Sequence, residues 1–459
     1  GGVSAGAPRF FPKEKGGKSK PPARGGPDGR EVTIACVPMR DDRIHATYLI
    51  ETPLDPRAAA DMIAGEQSSG TFVPVPGETD DLRLRHRAVV ESIDLLDDAP
   101  TPALPGSRVK GSPAEGPFHR ARVRVSWPMS NVGPNLSTLC AMLQGNLYEL
   151  SQLSGLRLER IDLPRSFTDH FKGPRFGVAG TREKTGVAAG PMIGTIIKPS
   201  VGLTPDQTAE LVRTLVDAGI DFTKDDELRA NPPHSPFDAR VDAVMRVVND
   251  HQQRTGKRVM SAFNLTDDLD AMHRHYDKIL SAGGCCCMMS LNWVGQAGVK
   301  QLADRGQLVV HGHRNGWGML SRHPLLGMSF AAYQMIWRLA GVDQLHVNGI
   351  ANKFCETDDS VVASIEACRA PIVNQRSLLP VVSSGQTGLQ APETYRRVQT
   401  TDLLYLAGGG ILAHPLGPAA GVRSLRQAWQ AAVEDIPLAE FARTHPELRG
   451  TLEKFGSAG

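Results

Sequence analysis

No apolar run in this chain approaches the roughly 20 residues a helix needs to cross a bilayer. The Cys285-Cys286-Cys287-Met288-Met289 run is far too short, so no membrane partner is expected. The seven cysteines show no paired metal-ligand spacing. Three are contiguous, so on a strand they alternate faces and cannot all reach one ion. Free buried thiols in a reducing cytoplasm are the expectation. Net charge is only +2, and the first thirty residues hold Arg9, Lys13, Lys15, Lys18, Lys20, Arg24 and Arg30 against Glu14 and Asp28, which leaves the body at −3. An acidic body argues against nucleic acid as a partner. The Gly-, Pro- and Lys-rich tail has almost no apolar periodicity and is expected to be disordered. It also lacks the apolar core of a secretion signal.

What is present is enough chain for one large domain and a smaller one: 459 residues, 41% hydrophobic and 22% charged. The pattern divides it into a disordered basic tail at 1–30, an N-terminal α+β domain at 31–165 and a barrel with C-terminal helices at 166–459. In the small domain His45–Ile50 and Ala121–Trp127 read as strands, the second with apolar residues at alternate positions. Asp55-Pro56 opens a helix toward Gln67, and 136–153 reads as a longer one. Helices on one face of a sheet, in a ferredoxin-like arrangement, are the expected layout. Asp97 to Pro117 is Pro- and Gly-rich and reads as a surface loop.

After Pro191 the rhythm changes. Apolar runs recur near Met192, Gly219, Val259, Cys285, Gln307, Val342, Leu378 and Asp402, each followed by a helical pattern. Alternating strands and helices imply parallel βαβ units, and eight units in roughly 240 residues is the size of a closed (β/α)8 TIM barrel. The first crossover helix is well marked, with Thr204 as N-cap, Pro205 in the first turn and Gln207 completing a capping box. Gly219 ends it.

Chemistry concentrates where these strands end. Asp221-Phe222-Thr223-Lys224-Asp225-Asp226-Glu227 packs acids around one lysine, a costly arrangement unless a cation neutralises it. Alternation points Lys224 and Asp226 the same way, and Glu227 can join them where the strand breaks. Such hard oxygen donors suit Mg²⁺. The lysine is the odd member, because an ammonium would compete with the ion. A lysine whose pKa is lowered can lose its proton and add CO₂ to become an anionic carbamate. Further strands end in Lys198-Pro199, His311-Gly312-His313-Arg314, His346-Val347-Asn348-Gly349, Ser383-Ser384-Gly385 and Gly408-Gly409-Gly410. Each alone has an ordinary structural explanation, but their recurrence at one end of successive strands does not. Backbone amides freed by Gly408 and Gly409 make a phosphate cradle, and Arg314 offers a planar fork to a second anionic group.

The run Gly194-Thr195-Ile196-Ile197-Lys198-Pro199-Ser200-Val201-Gly202-Leu203, with Asp221 to Glu227, resembles the large subunit of ribulose-bisphosphate carboxylase. The likeness extends over nearly the whole chain after the tail. It implies a carbamylated Lys224 that binds Mg²⁺ with Asp226 and Glu227, and a proton-handling role for Lys198. It puts His313, Arg314, His346 and Ser383 on substrate- and phosphate-contacting positions. Gly385, Gly408 and Gly409 fall where backbone holds the other phosphate, and Lys353 matches the mobile-loop lysine that steadies a carboxyl group. Glu66, Thr71 and Asn146 match residues that complete the partner subunit's site, which implies a homodimer with shared active sites.

The departures argue against CO₂ fixation on ribulose bisphosphate. Ser200 stands where the carboxylases have a second lysine, Ile196 replaces a threonine, Trp317 a histidine, Ser384 a glycine and Phe72 a tryptophan; Asn352 replaces a glycine beside Lys353. Losing a cation and a hydroxyl beside a bisphosphate should weaken binding, since charge-assisted hydrogen bonds contribute ~1.5–3 kcal/mol each. Trp317 is expected to fill the mouth of the barrel. The chain thus resembles the non-fixing RuBisCO-like proteins, which work through an enediolate stabilised by the metal. Of their reactions, decarboxylation or carbon–carbon cleavage of a branched 3-oxo acid sugar phosphate, such as 3-oxo-isoapionate 4-phosphate, best explains a retained carboxyl-facing Lys353. Enolisation or isomerisation of a methylthio-pentose or diketo phosphate is the alternative reaction. A non-catalytic barrel that binds a sugar phosphate is the alternative of another class.

Overall fold

The computed structural model describes residues 42–70, 75–107, 116–372 and 374–456. The basic tail, Thr71 and Phe72 lie outside them. The first sheet takes β1 (Arg43–Thr52), β2 (Val89–Leu95), β3 (His119–Pro128) and β4 (Gly155–Asp162). β1 runs antiparallel to both β3 and β4, and β2 to β3. Inward residues Ile44, Ala46, Tyr48 and Ile50 of β1 meet Ala121, Val123, Val125 and Trp127 of β3 in one apolar core. The helix Pro56–Glu66 lies against it, capped by the Asp55 carboxylate at the Ala58 N–H. Glu51 is fully buried in this sheet, and its carboxylate is met by Arg120 Nε, Ser154 Oγ and the Ala103 N–H, each at 2.7 Å.

The 136–153 stretch is not one helix. It is helical over Leu136–Leu143, turns at Gln144-Gly145, where Gly145 has φ +35°, and continues as a 3₁₀ turn over Gly145–Glu149. A glycine in that conformation ends an α-helix because it alone enters it without strain.

All eight expected strands close into a parallel barrel: β5 (Met192–Ile196), β6 (Phe222–Lys224), β7 (Met260–Asn264), β8 (Cys286–Ser290), β9 (Val309–His313), then, after an excursion, β11, β12 and β13. The excursion is β10 (Leu326–Met328), which leaves the barrel and adds itself in parallel to β4, so the first sheet has the order β10-β4-β1-β3-β2. The barrel resumes with β11 (Gln344–Asn348), β12 (Leu379–Ser383) and β13 (Leu404–Leu406). The barrel interior is built on Met192, Phe222, Met260, Cys286, Met288, Val309 and Leu404, with flexible methionines where such barrels usually carry branched side chains. Gly194 on β5 has no room for a side chain, since a Cβ there would lie 2.6 Å from Leu406 and 2.9 Å from the Phe222 carbonyl. The three contiguous cysteines alternate as expected: Cys286 points into the barrel and Cys287 to the outer core. The crossover helix is Pro205–Asp217, its Thr204–Gln207 capping box formed in both directions. No helix among the described residues is long and apolar enough to cross a membrane.

Candidate active site

Because Phe222 faces the barrel interior, alternation turns Lys224 inward as well. Lys224 is 1% exposed, and its Nζ has no hydrogen-bond partner. Burial pulls its pKa down to about 8, against the pull of Glu227, Asp226 and Asp225 in the other direction. Asp226 is also buried. Its Oδ2 accepts from Lys198 Nζ at 2.5 Å and from Ser200 Oγ at 3.0 Å, and its Oδ1 from the Leu228 N–H at 3.1 Å. Burial works to raise the Asp226 carboxyl, but Lys198 and the Leu228 N–H hold it below its ordinary value. Glu227 lies 3.5 Å from His313 Nε2.

The remaining acids of the run serve the scaffold. Asp225 turns outward to a buried ion pair with Arg240 at 3.1 Å and accepts from the Asn264 N–H. Arg240 also donates to the carbonyls of Ser235, Arg229 and Ala230, so it braces the loop after Glu227. Asp221 caps the Ile193 N–H and pairs with Lys257 and Arg426. Asn264, at the end of β7, donates to the carbonyls of Asp226 and Glu227.

Histidines of β9 and β11 form a hydrogen-bonded chain. His311 Nδ1 meets Gln344 Oε1 at 2.8 Å, its Nε2 meets His346 Nε2 at 2.8 Å, and His346 Nδ1 meets Ser383 Oγ at 3.1 Å. The Gln344 amide nitrogen faces Thr181 Oγ1, so its oxygen accepts from His311 Nδ1–H. His311 Nε2 is then an acceptor, His346 carries its proton on Nε2, and His346 Nδ1 accepts from Ser383. Burial holds His311 down to about 3 and drives His313 and His346 well below the usual imidazole range, so all three are neutral at pH 7. His313 Nδ1 accepts from Asn315 Nδ2 at 2.9 Å, which leaves its Nε2–H for Glu227.

Arg314 does not present a free fork. Its Nη2 pairs with Glu356 Oε2 at 3.1 Å, and its guanidinium lies 5.1 Å from the Phe330 ring centre and 5.4 Å from that of Trp317. Trp317 itself is buried among Phe330 and Tyr333. Its ring is held there by a guanidinium and two aromatic rings. Lys353 is exposed, on the loop that follows β11. Its backbone N–H reaches the Ser384 carbonyl at 3.3 Å, and a Cβ on Gly385 (φ +81°) would lie 3.4 Å from its own Cβ. Gly408 and Gly409 follow β13; a Cβ on Gly409 would meet nothing within 4 Å, and one on Gly408 only Ile196 at 3.9 Å. The backbone there borders open space, as a cradle requires.

Residues 177–455 match the profile of the ribulose bisphosphate carboxylase large chain, catalytic domain. The chain belongs to the RuBisCO large-chain family. Within it, the chain is 52% identical over 413 residues to the 3-oxo-isoapionate-4-phosphate transcarboxylase/hydrolase of Xanthobacter autotrophicus, covering 90% of this chain and 99% of that one. It is 48% identical over 415 residues to a 3-oxo-isoapionate-4-phosphate decarboxylase of Rhizobium rhizogenes, covering 90% and 98%. The crystal structure of a RuBisCO-like protein from Burkholderia fungorum superposes with a TM-score of 0.85 at 49% identity, covering 90% of this chain and all of that one.

Two RuBisCO-family positions that the sequence could not interpret acquire a physical reason. Ser200, in place of a lysine, joins Lys198 and Asp226 through one hydroxyl. Ser384, in place of a glycine, holds φ +74°, a conformation costing of order 1–3 kcal/mol, and its Oγ donates to Asn348 Oδ1 at 2.6 Å. Glu66, the last residue of the helix Pro56–Glu66, and Asn146, in the 3₁₀ turn Gly145–Glu149, are both exposed. Sequence reasoning missed Glu356, Gln344 and Asn264, and gave Asn348, quoted in a strand-end motif, no role. Asn264 had a signal too, as a polar residue ending an apolar strand.

Proposed function

We propose that this chain is a Mg²⁺-dependent enzyme that breaks the carboxyl carbon–carbon bond of a branched 3-oxo acid sugar phosphate of the 3-oxo-isoapionate 4-phosphate type. The observation that carries the reading is the buried, unpartnered Lys224 amine between Asp226 and Glu227. No group of three His, Cys, Asp or Glu among the described residues could hold a metal, so two carboxylates need a further oxygen donor. A carbamate on Lys224 supplies it, and a pKa near 8 leaves enough neutral amine to take up CO₂. Lys198 Nζ pairs with Asp226 Oδ2 at 2.5 Å. Lys224, Asp226 and Glu227 fit Mg²⁺, whose chemistry here would be to polarise a carbonyl and its neighbouring hydroxyl.

The chain's own groups do the rest. Loss of CO₂ from a 3-oxo acid leaves the electron pair of the broken bond in an enolate, and the carbon must then take a proton. Lys198, whose ammonium is the half-exposed donor at this rim, delivers it. His346 and His313, neutral and with their ring nitrogens engaged by His311, Ser383, Asn315 and Glu227, add no charge beside the substrate. Lys353, on its exposed loop, faces the departing carboxylate. Gly408 and Gly409 hold the phosphate through backbone N–H groups. Glu66 and Asn146, exposed on the small domain, complete the site of a second copy in a homodimer.

The two named relatives differ in the fate of the carboxyl group, and the experiment follows that carbon. With substrate labelled with ¹³C at the carboxylate, and Mg²⁺ and bicarbonate present, the label is expected in free CO₂ and bicarbonate. Label retained in a new acid would favour the transfer or hydrolysis named for the Xanthobacter relative, and proton exchange without carbon loss would defeat both. Gly409→Ala should fold as the parent does, because its Cβ enters open space. It should raise KM about tenfold or more through a displaced phosphate, the equivalent of one charge-assisted hydrogen bond; an unchanged KM would remove these glycines from the site.

A further inference from the structure

Arg314 is the cation at the β9–β11 side of the mouth, and it is already neutralised. Glu356 sits opposite it and is held there from several directions. Its Oε2 accepts from Arg314 Nη2 at 3.1 Å and from Asn348 Nδ2 at 2.6 Å, and its Oε1 from Ser360 Oγ at 2.8 Å. Asn352 Nδ2 closes the same loop by donating to the carbonyls of Gly349 and Glu356. Both side chains of the pair are buried, at 7% and 14% exposure. Asn348, which donates to the same carboxylate, and the neutral His346 add no charge to the pair. A dianion arriving here meets an arginine whose charge a carboxylate on Nη2 already balances. To engage Arg314 it would have to leave Glu356 buried and unpaired, which is costly.

We infer that Glu356 is a specificity residue that closes this end of the mouth to a second phosphate, so that the substrate carries one phosphate only, taken at the Gly408–Gly409 end. The inference rests on the sugar-phosphate reading above and narrows it. It assigns the β9–β11 end an uncharged, hydroxyl-bearing portion of the substrate. Arg314 Nη1, which has no partner, remains as one donor for one oxygen. Discrimination of this kind works by repulsion and an occupied donor rather than by added contacts.

The test is binding rather than turnover, with ribulose 5-phosphate and ribulose 1,5-bisphosphate as probes, by calorimetry on the full chain with Mg²⁺ and bicarbonate. The unaltered protein is expected to bind the bisphosphate no more than about threefold better than the monophosphate. Glu356→Gln, with its fold checked by circular dichroism, is expected to improve bisphosphate binding about tenfold or more while changing the monophosphate far less. A bisphosphate bound about tenfold tighter than the monophosphate by the unaltered protein overturns the inference, and so does a Gln variant with an unchanged ratio. Should Glu356→Gln not fold, the ratio for the unaltered protein still decides. Failure of both probes to bind would instead defeat the sugar-phosphate reading, and the inference with it.

Discussion

Lys224→Met is expected to abolish turnover while raising the melting temperature of the metal-free, CO₂-free protein. The amine is buried without a partner, and burial has lowered its pKa from the ordinary 10.5 to about 8. At pH 7 the folded state therefore carries a desolvated ammonium, at a cost on the order of 3 kcal/mol. The sign follows from proton linkage. Between about 8 and 10.5 the unfolded chain binds a proton that the folded chain has released, so stability rises with pH through that window and is lowest below it. A methionine of similar length removes both the cost and the slope. Melting curves from pH 7 to 10.5 should show the parent gaining several degrees relative to the variant. Activity should fall about 10³-fold or more, because an interaction that polarises the reacting carbonyl contributes several kcal/mol. A variant that stayed active would sink the metal site. One that melted lower than its parent at pH 7 would show the ammonium to be paired.

Arg240→Met is expected to lower stability by about 3–5 kcal/mol, the usual consequence of leaving one member of a buried ion pair behind. Arg240 is fully buried and Asp225 is 4% exposed, so the orphaned carboxylate has no water to turn to. The substitution also frees the carbonyls of Arg229, Ala230 and Ser235, and thus loosens the segment directly after Glu227. Denaturant unfolding should record the loss, and Mg²⁺ affinity should weaken with it. The double variant Asp225→Asn/Arg240→Met should recover part of the stability, since it no longer strands a charge. If the double variant were as unstable as the single one, the carbonyl contacts rather than the ion pair would be what holds this loop.

The barrel was legible because its strands obey one strong rule: buried on both faces, they read as short continuous apolar runs separated by helical periodicity. The grouping of Lys224, Asp226 and Glu227 was legible because three charged residues fell at the end of one such run. The small sheet was half legible. β2 is mostly exposed, and a register shift between Val90 and Ser92 breaks its alternation; β4 carries Leu156 and Leu158 in phase, then slips opposite Thr47 and Tyr48 before Ile161. β10 has only three residues, too few for any periodicity. Glu356 was invisible for a different reason. It lies three residues beyond Lys353, and what distinguishes it is its approach, from the loop after β11, to Arg314 at the end of β9, which no local spacing encodes. Ser384 and Trp317 were seen as departures, but their consequences depended on neighbours that only the fold supplies.

The loan of β10 to the first sheet has a genetic consequence. Arg157 on β4 donates to the carbonyls of Ser321, His323 and Leu326, and Tyr148 to that of Gly327. A gene cut between the small lobe and the barrel would leave β4 with a bare, adhesive edge. Moving the small lobe into another protein would therefore need two separate stretches of sequence, one for β1 to β4 and one for β10.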